Sequence, residues 1–222
     1  MNNKYDNTQI IFFYLVITLL FRGMSFFYSV IDHDESTYII IAHELLRGKA
    51  LYKDLFDTKP AGIFGIFAAW QYLFTDTIWA IRLLASLFVA LTAYFLYAAK
   101  QLLPNNMPKN AFGVGILYIV ATTVYSMGLA ANTELFFNAF TSISLYFWLK
   151  AHHSTVCLQK YGWSLLSGLA IGIGFIIKYL VLFDAIAFCV IYLVGIVCIN
   201  KHSGKLKNAF IPAFFQCGIM AV

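Results

Sequence analysis

The sequence predicts an all-α membrane protein, a polytopic bundle of transmembrane helices. Of its 222 residues, 61% are hydrophobic and only 11% are charged, whereas soluble domains contain about 25% charged residues. The apolar runs are long and carry few charges, while a membrane barrel would show segments of about ten residues with alternating polarity. A disordered chain, a collagen-like repeat and a disulfide-stapled module are excluded, because apolar residues dominate, Gly and Pro are few, and there are four cysteines.

Six apolar segments are expected to span the membrane. The first lies near residues 9–31, contains Arg22, and is followed by no small-residue cleavage site, so a retained anchor is expected. The later spans are expected near residues 79–99, 111–128, 133–149, 163–178 and 180–199. A last apolar stretch begins near residue 208 and stops at Val222, short of the roughly 20 residues that cross a bilayer. Residues 1–222 are therefore expected to form one transmembrane domain, the N-terminal part of a longer protein.

The charges predict the orientation of the spans. With the N-terminus in the cytoplasm, eight of the fifteen basic residues fall on the cytoplasmic side, namely Lys4, Lys100, Lys109, Lys150, Lys160, Lys201, Lys205 and Lys207. Asp6 is the one acid among them. This lysine bias is what the positive-inside rule expects. Topology thus explains the net charge of +5, and no nucleic-acid binding is predicted, because the lysines lie in short loops without an aromatic-rich basic patch.

The first extracytoplasmic loop, residues 32–78, concentrates the acids. It holds seven of the ten, together with four basic residues: Asp32, Asp34, Glu35, Glu44, Asp54, Asp57 and Asp76, with Arg47, Lys49, Lys53 and Lys59. Further charges are expected near the same membrane face, namely Arg82, Glu134, Lys178 and Asp184. Ionisable groups at membrane depth are costly unless they face a partner or a wet cavity. The sequence therefore predicts a functional site on the extracytoplasmic side.

Two interfacial helices are predicted within this loop. The first is a short amphipathic helix, because apolar residues recur at helical spacing on one face, namely Tyr38, Ile41, Ala42 and Leu45. Asp34 or Ser36 is expected to cap its start and Gly48 to end it. Pro60 is expected at the first position of the next helix, PAGIFGIFAAWQYLF. That segment is marginal in length for a span.

The order of these motifs resembles that of the C-type membrane glycosyltransferases, in particular the protein O-mannosyltransferase and lipid A aminoarabinose transferase group. A first transmembrane helix precedes D-E-x-x-Y, A-x-x-L-L-x-G-x-x-x-Y and F-D-T-K-P. The likeness continues through AIRLLASLFVALTAYFLY, ANTELFFNAF and SGLAIGIGFIIKYLVLF. These segments cover most of the chain.

The resemblance implies transfer of a sugar from a dolichyl- or undecaprenyl-phosphate donor to the hydroxyl of a lipid, glycan or protein acceptor, with inversion at the anomeric carbon. It implies that Asp34 and Glu35 form the catalytic acidic pair, with Asp34 as the general base. Lys59 would bind the donor phosphate. Some relatives carry a basic residue three positions after the first acid, where this chain has Thr37.

The resemblance further implies that Glu134 helps to form the substrate pocket, and that Arg82 and Lys178 bind phosphate or make structural pairs. No cofactor is implied. The residues themselves leave alternatives open, because Asp34 could be only a helix cap and Lys59 could be a lysine that snorkels to the interface. The remaining charges could be structural ion pairs. A divalent ion at Asp32–Glu35 is conceivable, although consecutive side chains cannot all face one ion.

The sequence also leaves two other classes of function open. A transporter or flippase whose charges line a substrate path would show internal repeats with discontinuous helices, and no such symmetry is visible in these residues. A non-catalytic remnant is the other alternative, since such a fragment would lack later spans that complete a lipid site.

Overall fold

The computed structural model describes residues 6–29, 31–74, 77–103 and 110–201. Their helices are α1 (Asn7–Arg22), α2 (His33–Leu46), α3 (Ala61–Leu73), α4 (Ile78–Gln101), α5 (Ala111–Val124), α6 (Thr133–His153), α7 (Cys157–Ile177) and α8 (Val181–Lys201). Short 3-10 helices follow α1 at Gly23–Phe27 and α5 at Ser126–Leu129. The all-α prediction is confirmed. The last apolar stretch of the sequence lies outside the described residues, as do Lys4, Asp76, Lys109, Lys205 and Lys207.

Among the described residues, three segments are long and apolar enough to cross a membrane, judged by length and composition: Asn7–Phe27, Ile78–Gln101 and Cys157–Ile177. The helices α5, α6 and α8 coincide with the other three predicted spans. The main difference is the start of α7, which begins at Cys157 rather than near residue 163. Its first turns carry polar residues such as Gln159, which is exposed, so this helical end lacks the apolar pattern that predicts a span.

Aromatic side chains pack α2 and α3 against the rest of the bundle. The Tyr38 ring meets the Phe64 and Phe67 rings edge-on at centroid distances of 5.7 and 5.5 Å, and Phe67 lies 5.5 Å from Phe136 of α6. All four side chains are fully buried. Such pairs add about 0.5–1.5 kcal/mol each beyond the area they bury. Polar residues at the starts of α2 and α3 are therefore held in fixed positions against α6.

The predicted amphipathic helix is confirmed as α2, with Tyr38, Ile41 and Ala42 buried. The cap prediction is wrong, because Asp32 rather than Asp34 or Ser36 is the N-cap, with extended φ and ψ of −144° and 145°. Several polar residues in this stretch suit a cap equally well, so the local sequence does not select one of them. Gly48 ends the helix as predicted, with a φ of +88° that favours glycine.

The start of α3 packs closely on the end of α7. Pro60 precedes α3 as its N-cap, rather than occupying its first helical position as predicted. At Gly62, an added Cβ would stand 2.6 Å from the Ile176 carbonyl oxygen. Only glycine permits this approach of one backbone to another. The segment that contains Lys59 is therefore brought beside the end of α7.

Candidate functional site

The predicted site residues meet at one end of the bundle, where α1 and α7 end and α4 and α6 begin; we call it the site end. Arg82 at the start of α4 donates hydrogen bonds to the carbonyls of Ser25 and Tyr28, which follow α1. Lys178 at the end of α7 pairs with Glu134 at the start of α6. Because consecutive spans run in opposite directions, charges far apart in the sequence come together here.

Asp34 and Lys59 form an accessible ion pair at the site end. The Lys59 Nζ lies 3.0 Å from Asp34 Oδ1, and the Tyr38 hydroxyl donates to Asp34 Oδ2 at 3.2 Å. The Asp34 side chain is 47% exposed and the Lys59 side chain 23% exposed. One oxygen of the carboxylate is therefore oriented by a cation and the other by a phenol, while the group stays open to solvent.

The amide, the carbonyl and the ammonium of Lys59 each have a partner. Its amide donates to Asp57 Oδ1 at 2.9 Å, and its carbonyl accepts a hydrogen bond from the Tyr52 hydroxyl at 2.6 Å. Its Nζ also lies 5.2 Å from the centroid of the Tyr38 ring, within the range of a cation–π interaction. Lys59 is thus fixed in its backbone and its side chain together.

The phenol of Tyr38 remains a hydrogen-bond donor over the ordinary pH range. Burial raises its pKa above the usual value, and the charge and hydrogen bond of Asp34 raise it further. Glu134 adds to the increase in pKa, while a hydrogen bond to Thr133 opposes it. Tyr38 therefore lies between the Asp34–Lys59 pair and the first turn of α6.

Glu35, the second predicted catalytic acid, faces the interior of the bundle. Arg82 donates to Glu35 Oε1 at 3.2 Å and to Oε2 at 2.9 Å, and the Ala131 amide donates to Oε1 at 3.0 Å. The side chains of Glu35 and Arg82 are 2% and 0% exposed. Arg82 binds the turn after α1 as well, so this buried pair joins α1, α2, α4 and the segment before α6. Neither residue is exposed to a substrate in solution.

Glu134 and Lys178 form a second accessible ion pair next to the first. Their side chains are 51% and 26% exposed, and the Thr133 hydroxyl also donates to Glu134 Oε2 at 3.1 Å. Asp184 belongs to neither pair and accepts a hydrogen bond from the Thr141 hydroxyl at 3.3 Å. The site end therefore presents two exposed carboxylate–ammonium pairs above one buried pair.

Three residues of the site were not among its predicted members. Tyr38, Asp57 and Tyr52 each belong to one of the motifs that carry the resemblance, but none of them was assigned a role in the site. The spacing of two of them carries a partial signal. Tyr38 lies one helical turn after Asp34. Asp57 lies two residues before Lys59 and accepts a hydrogen bond from its amide, as in an Asx turn. The contact of Tyr52 with Lys59 has no such signature.

The Asp34–Lys59 pair combines a proton acceptor with an anion-binding group. An ammonium has three N–H donors; one meets Asp34, and Asp57 Oδ1 at 3.8 Å lies beyond hydrogen-bond distance. Lys59 therefore retains donors for an anionic ligand. Within the described ranges, no three His, Cys, Asp or Glu side chains are grouped as metal ligands would be, and the adjacent acids Asp34 and Glu35 turn to different partners.

A family model described as dolichyl-phosphate-mannose-protein mannosyltransferase matches residues 58–216. This range includes Lys59, Arg82, Glu134 and Lys178, and it begins after the acidic pair. The match therefore rests on the segment from Lys59 onward and is independent of Asp34 and Glu35.

Two curated bacterial relatives align over most of the chain. The undecaprenyl phosphate-alpha-4-amino-4-deoxy-L-arabinose arabinosyl transferase of Yersinia enterocolitica is 30% identical over 178 residues, which are 78% of this chain and 31% of that protein. The corresponding transferase 1 of Pseudomonas fluorescens is 27% identical over 175 residues, which are 74% of this chain and 32% of that protein. The chain thus spans about a third of the length of these relatives. Together with apolar helices long enough to span a bilayer, these matches confirm the resemblance: the chain is an integral membrane protein that belongs to the dolichyl-phosphate-mannose-protein mannosyltransferase family.

Proposed function

We propose that this protein is a membrane glycosyltransferase, which moves a sugar from a polyprenyl-phosphate donor to a hydroxyl of a lipid, glycan or protein acceptor. The observation that carries the proposal is the accessible pair formed by Asp34 and Lys59, with 3.0 Å between Oδ1 and Nζ. Both relatives are named for an undecaprenyl-phosphate-linked aminoarabinose and for arabinosyl transfer. A proton acceptor beside a phosphate-binding cation is the pair of groups that such a transfer needs.

In the proposed reaction, Asp34 is the general base. The acceptor hydroxyl gives its proton to the Asp34 carboxylate as its oxygen forms a bond to the anomeric carbon, and the bond from that carbon to the phosphate oxygen breaks. The electron pair of the broken bond leaves with the polyprenyl phosphate, so the anomeric carbon is inverted in one displacement. General bases typically contribute about 10²–10⁴ in rate.

Lys59 is proposed to hold the donor phosphate and to neutralise the charge that grows on it. Glu134 and its partner Lys178 are proposed to line the same pocket, because Glu134 acts electrostatically on Tyr38, whose hydroxyl donates to Asp34. We assign the buried Glu35–Arg82 pair a positioning role, in which it fixes the first turn of α2 and thereby Asp34. The N-terminus is proposed to lie in the cytoplasm and the site end on the extracytoplasmic side, in accord with the lysine distribution.

Transfer assays on the full-length protein test the assigned roles, with undecaprenyl-phosphate-linked aminoarabinose and dolichyl-phosphate mannose as alternative labelled donors. Asp34→Asn preserves the shape of the side chain and is expected to lower kcat by about 10²–10⁴. Lys59→Ala is expected to raise the donor KM and to lower kcat. Glu44 pairs with Lys49 and Arg47 at the other end of α2, away from the site, so Glu44→Gln and Lys49→Ala are matched controls. Undiminished transfer by both Asp34→Asn and Lys59→Ala would contradict the proposal.

The orientation has a separate test in intact cells. Phe56 is 83% exposed at the site end, while the free thiol of Cys157 is exposed at the opposite end of α7. An impermeant maleimide should label a Phe56→Cys variant before lysis and Cys157 only after lysis. The reverse pattern would invert the proposed topology.

A further inference from the structure

The segment Ala50–Leu55 forms a closed turn beside Lys59. The Ala50 carbonyl accepts hydrogen bonds from the amides of Asp54 at 2.9 Å and Leu55 at 3.3 Å. The Ala50 amide in turn donates to Asp54 Oδ2 at 2.9 Å. Leu51 and Leu55 pack against the main hydrophobic core. The turn is therefore anchored to the bundle and is not a free loop.

Tyr52, between the two anchoring leucines, has a left-handed backbone. Its φ of 65° is the one positive φ of a non-glycine residue in the part of the chain that the structure describes. This conformation is unfavourable for a bulky L-residue, and it persists only where the surroundings enforce it. Residues held in this way are concentrated at functional sites. The conformation directs the Tyr52 hydroxyl at the backbone of Lys59.

The Tyr52 hydroxyl supplies a partner to a carbonyl that helix α3 leaves unpaired. Lys59 precedes the N-cap Pro60, and the first carbonyl to join a helical ladder is that of the N-cap itself. The Lys59 carbonyl instead accepts the Tyr52 hydroxyl at 2.6 Å. Burial raises the pKa of this phenol, and Tyr179 and Asp57 raise it further, so the hydroxyl stays protonated as a donor at neutral pH.

We propose that Tyr52 is a positioning residue for the donor-phosphate site, because its hydrogen bond to the Lys59 carbonyl holds the Lys59 ammonium against Asp34. The role of Tyr52 rests on the proposed function, whereas its hold on Lys59 can be measured without any transfer reaction. Asp57 accepts a hydrogen bond from the Lys59 amide, and Tyr52 donates one to the Lys59 carbonyl. The backbone is therefore held on both sides of the Lys59 side chain. A cation held in place in advance loses less entropy when it binds a phosphate.

The variant Tyr52→Phe removes only the hydroxyl and keeps the ring. The matched control is Tyr72→Phe, on an exposed tyrosine of α3. In the full-length protein, acylation of Lys59 by an amine reagent is followed by peptide mass spectrometry, with Lys178 as the internal reference. The loss of one hydrogen bond is expected to speed Lys59 acylation by about threefold to tenfold, with Lys178 unchanged. Tyr72→Phe is expected to match the wild type.

A second variant separates positioning from a merely structural role. Tyr52→Gly accepts a positive φ without strain, so its thermal unfolding midpoint is expected to equal or exceed that of the wild type while Lys59 acylation still rises. In transfer assays, both Tyr52 variants are expected to raise the donor KM by about threefold to tenfold and to change kcat by less than twofold.

Lys59 acylation at the wild-type rate in Tyr52→Phe overturns the proposal, whatever the assays of transfer show. Faster acylation with an unchanged donor KM in an active enzyme overturns the positioning role and leaves the proposed function standing. If the wild type transfers no sugar, the proposed function fails, and the acylation rates still decide whether Tyr52 holds Lys59.

Discussion

Glu35 and Arg82 are 47 residues apart in the sequence, yet Arg82 donates to both carboxylate oxygens of Glu35, at 3.2 and 2.9 Å. The pair is almost completely shielded from solvent. A buried charge without a partner is very costly, and the backbone groups around this pair satisfy much of what remains of its hydrogen-bonding capacity. The pair therefore connects the start of α2 to the start of α4 at the site end.

Removal of either partner should destabilise the protein strongly. We expect Glu35→Gln or Arg82→Gln to cost about 3–5 kcal/mol in the free energy of unfolding, because each change leaves an unpaired buried charge. Thermal unfolding in detergent measures the change. The control is Glu44, which pairs with Arg47 and Lys49 at a partly exposed position, and Glu44→Gln should change the unfolding midpoint only slightly.

The double variant Glu35→Gln/Arg82→Gln should cost less than the sum of the single changes, by about 0.5–3 kcal/mol, since the two groups are in direct contact. Strictly additive costs in this cycle would mean that the two residues act independently, and would contradict the role assigned to the pair.

Gly62 should tolerate no side chain. In Gly62→Ala the new Cβ would stand 2.6 Å from the Ile176 carbonyl oxygen, so α3 must move away from α7. We expect a loss of about 1–3 kcal/mol in stability, as for other overpacked sites, and a raised donor KM, because Lys59 moves with the start of α3.

The neighbouring Gly65 provides the matched control on the same helix. An added Cβ there meets no atom within 4 Å, so Gly65→Ala should be neutral, or stabilise α3 by about 0.5–1 kcal/mol through helix propensity. The measurements are the thermal unfolding midpoint and the donor KM of the two variants. Equal effects of the two changes would show that contact with α7 does not fix α3.

The exposed pair of Glu134 and Lys178 should contribute little to stability. We expect Lys178→Ala to cost less than about 1 kcal/mol, because both side chains remain partly in water. Lys178→Glu should cost more, since it places two acids together, and the swap Glu134→Lys/Lys178→Glu should recover part of that loss. Full recovery is not expected, because the swap puts a cation at the start of α6 and an anion at the end of α7, against both helix dipoles. Unfolding midpoints that show no recovery in the swap would contradict an energetic coupling.

Much of the fold follows from local pattern. The apolar face of α2 and its end at Gly48 could be predicted because a helix repeats every 3.6 residues, and because glycine alone accepts a positive φ without cost. Its start could not, since several neighbouring polar residues suit an N-cap equally well. The early start of α7 at Cys157 could not be predicted for a related reason, because its exposed first turns carry polar residues and lack the apolar signal of a span.

The sequence by itself determined that this is a bundle of apolar helices whose acidic residues gather at one end, because apolar run length and alternating helix direction leave few other arrangements. Only the tertiary structure decided which charges pair. Consecutive helical side chains point about 100° apart, so Asp34 faces Lys59 at the surface while Glu35 faces Arg82 in the interior. Two adjacent acids of nearly the same chemistry thus occupy different environments, and that difference depends on where α3 and α4 pack against α2, which no local pattern encodes.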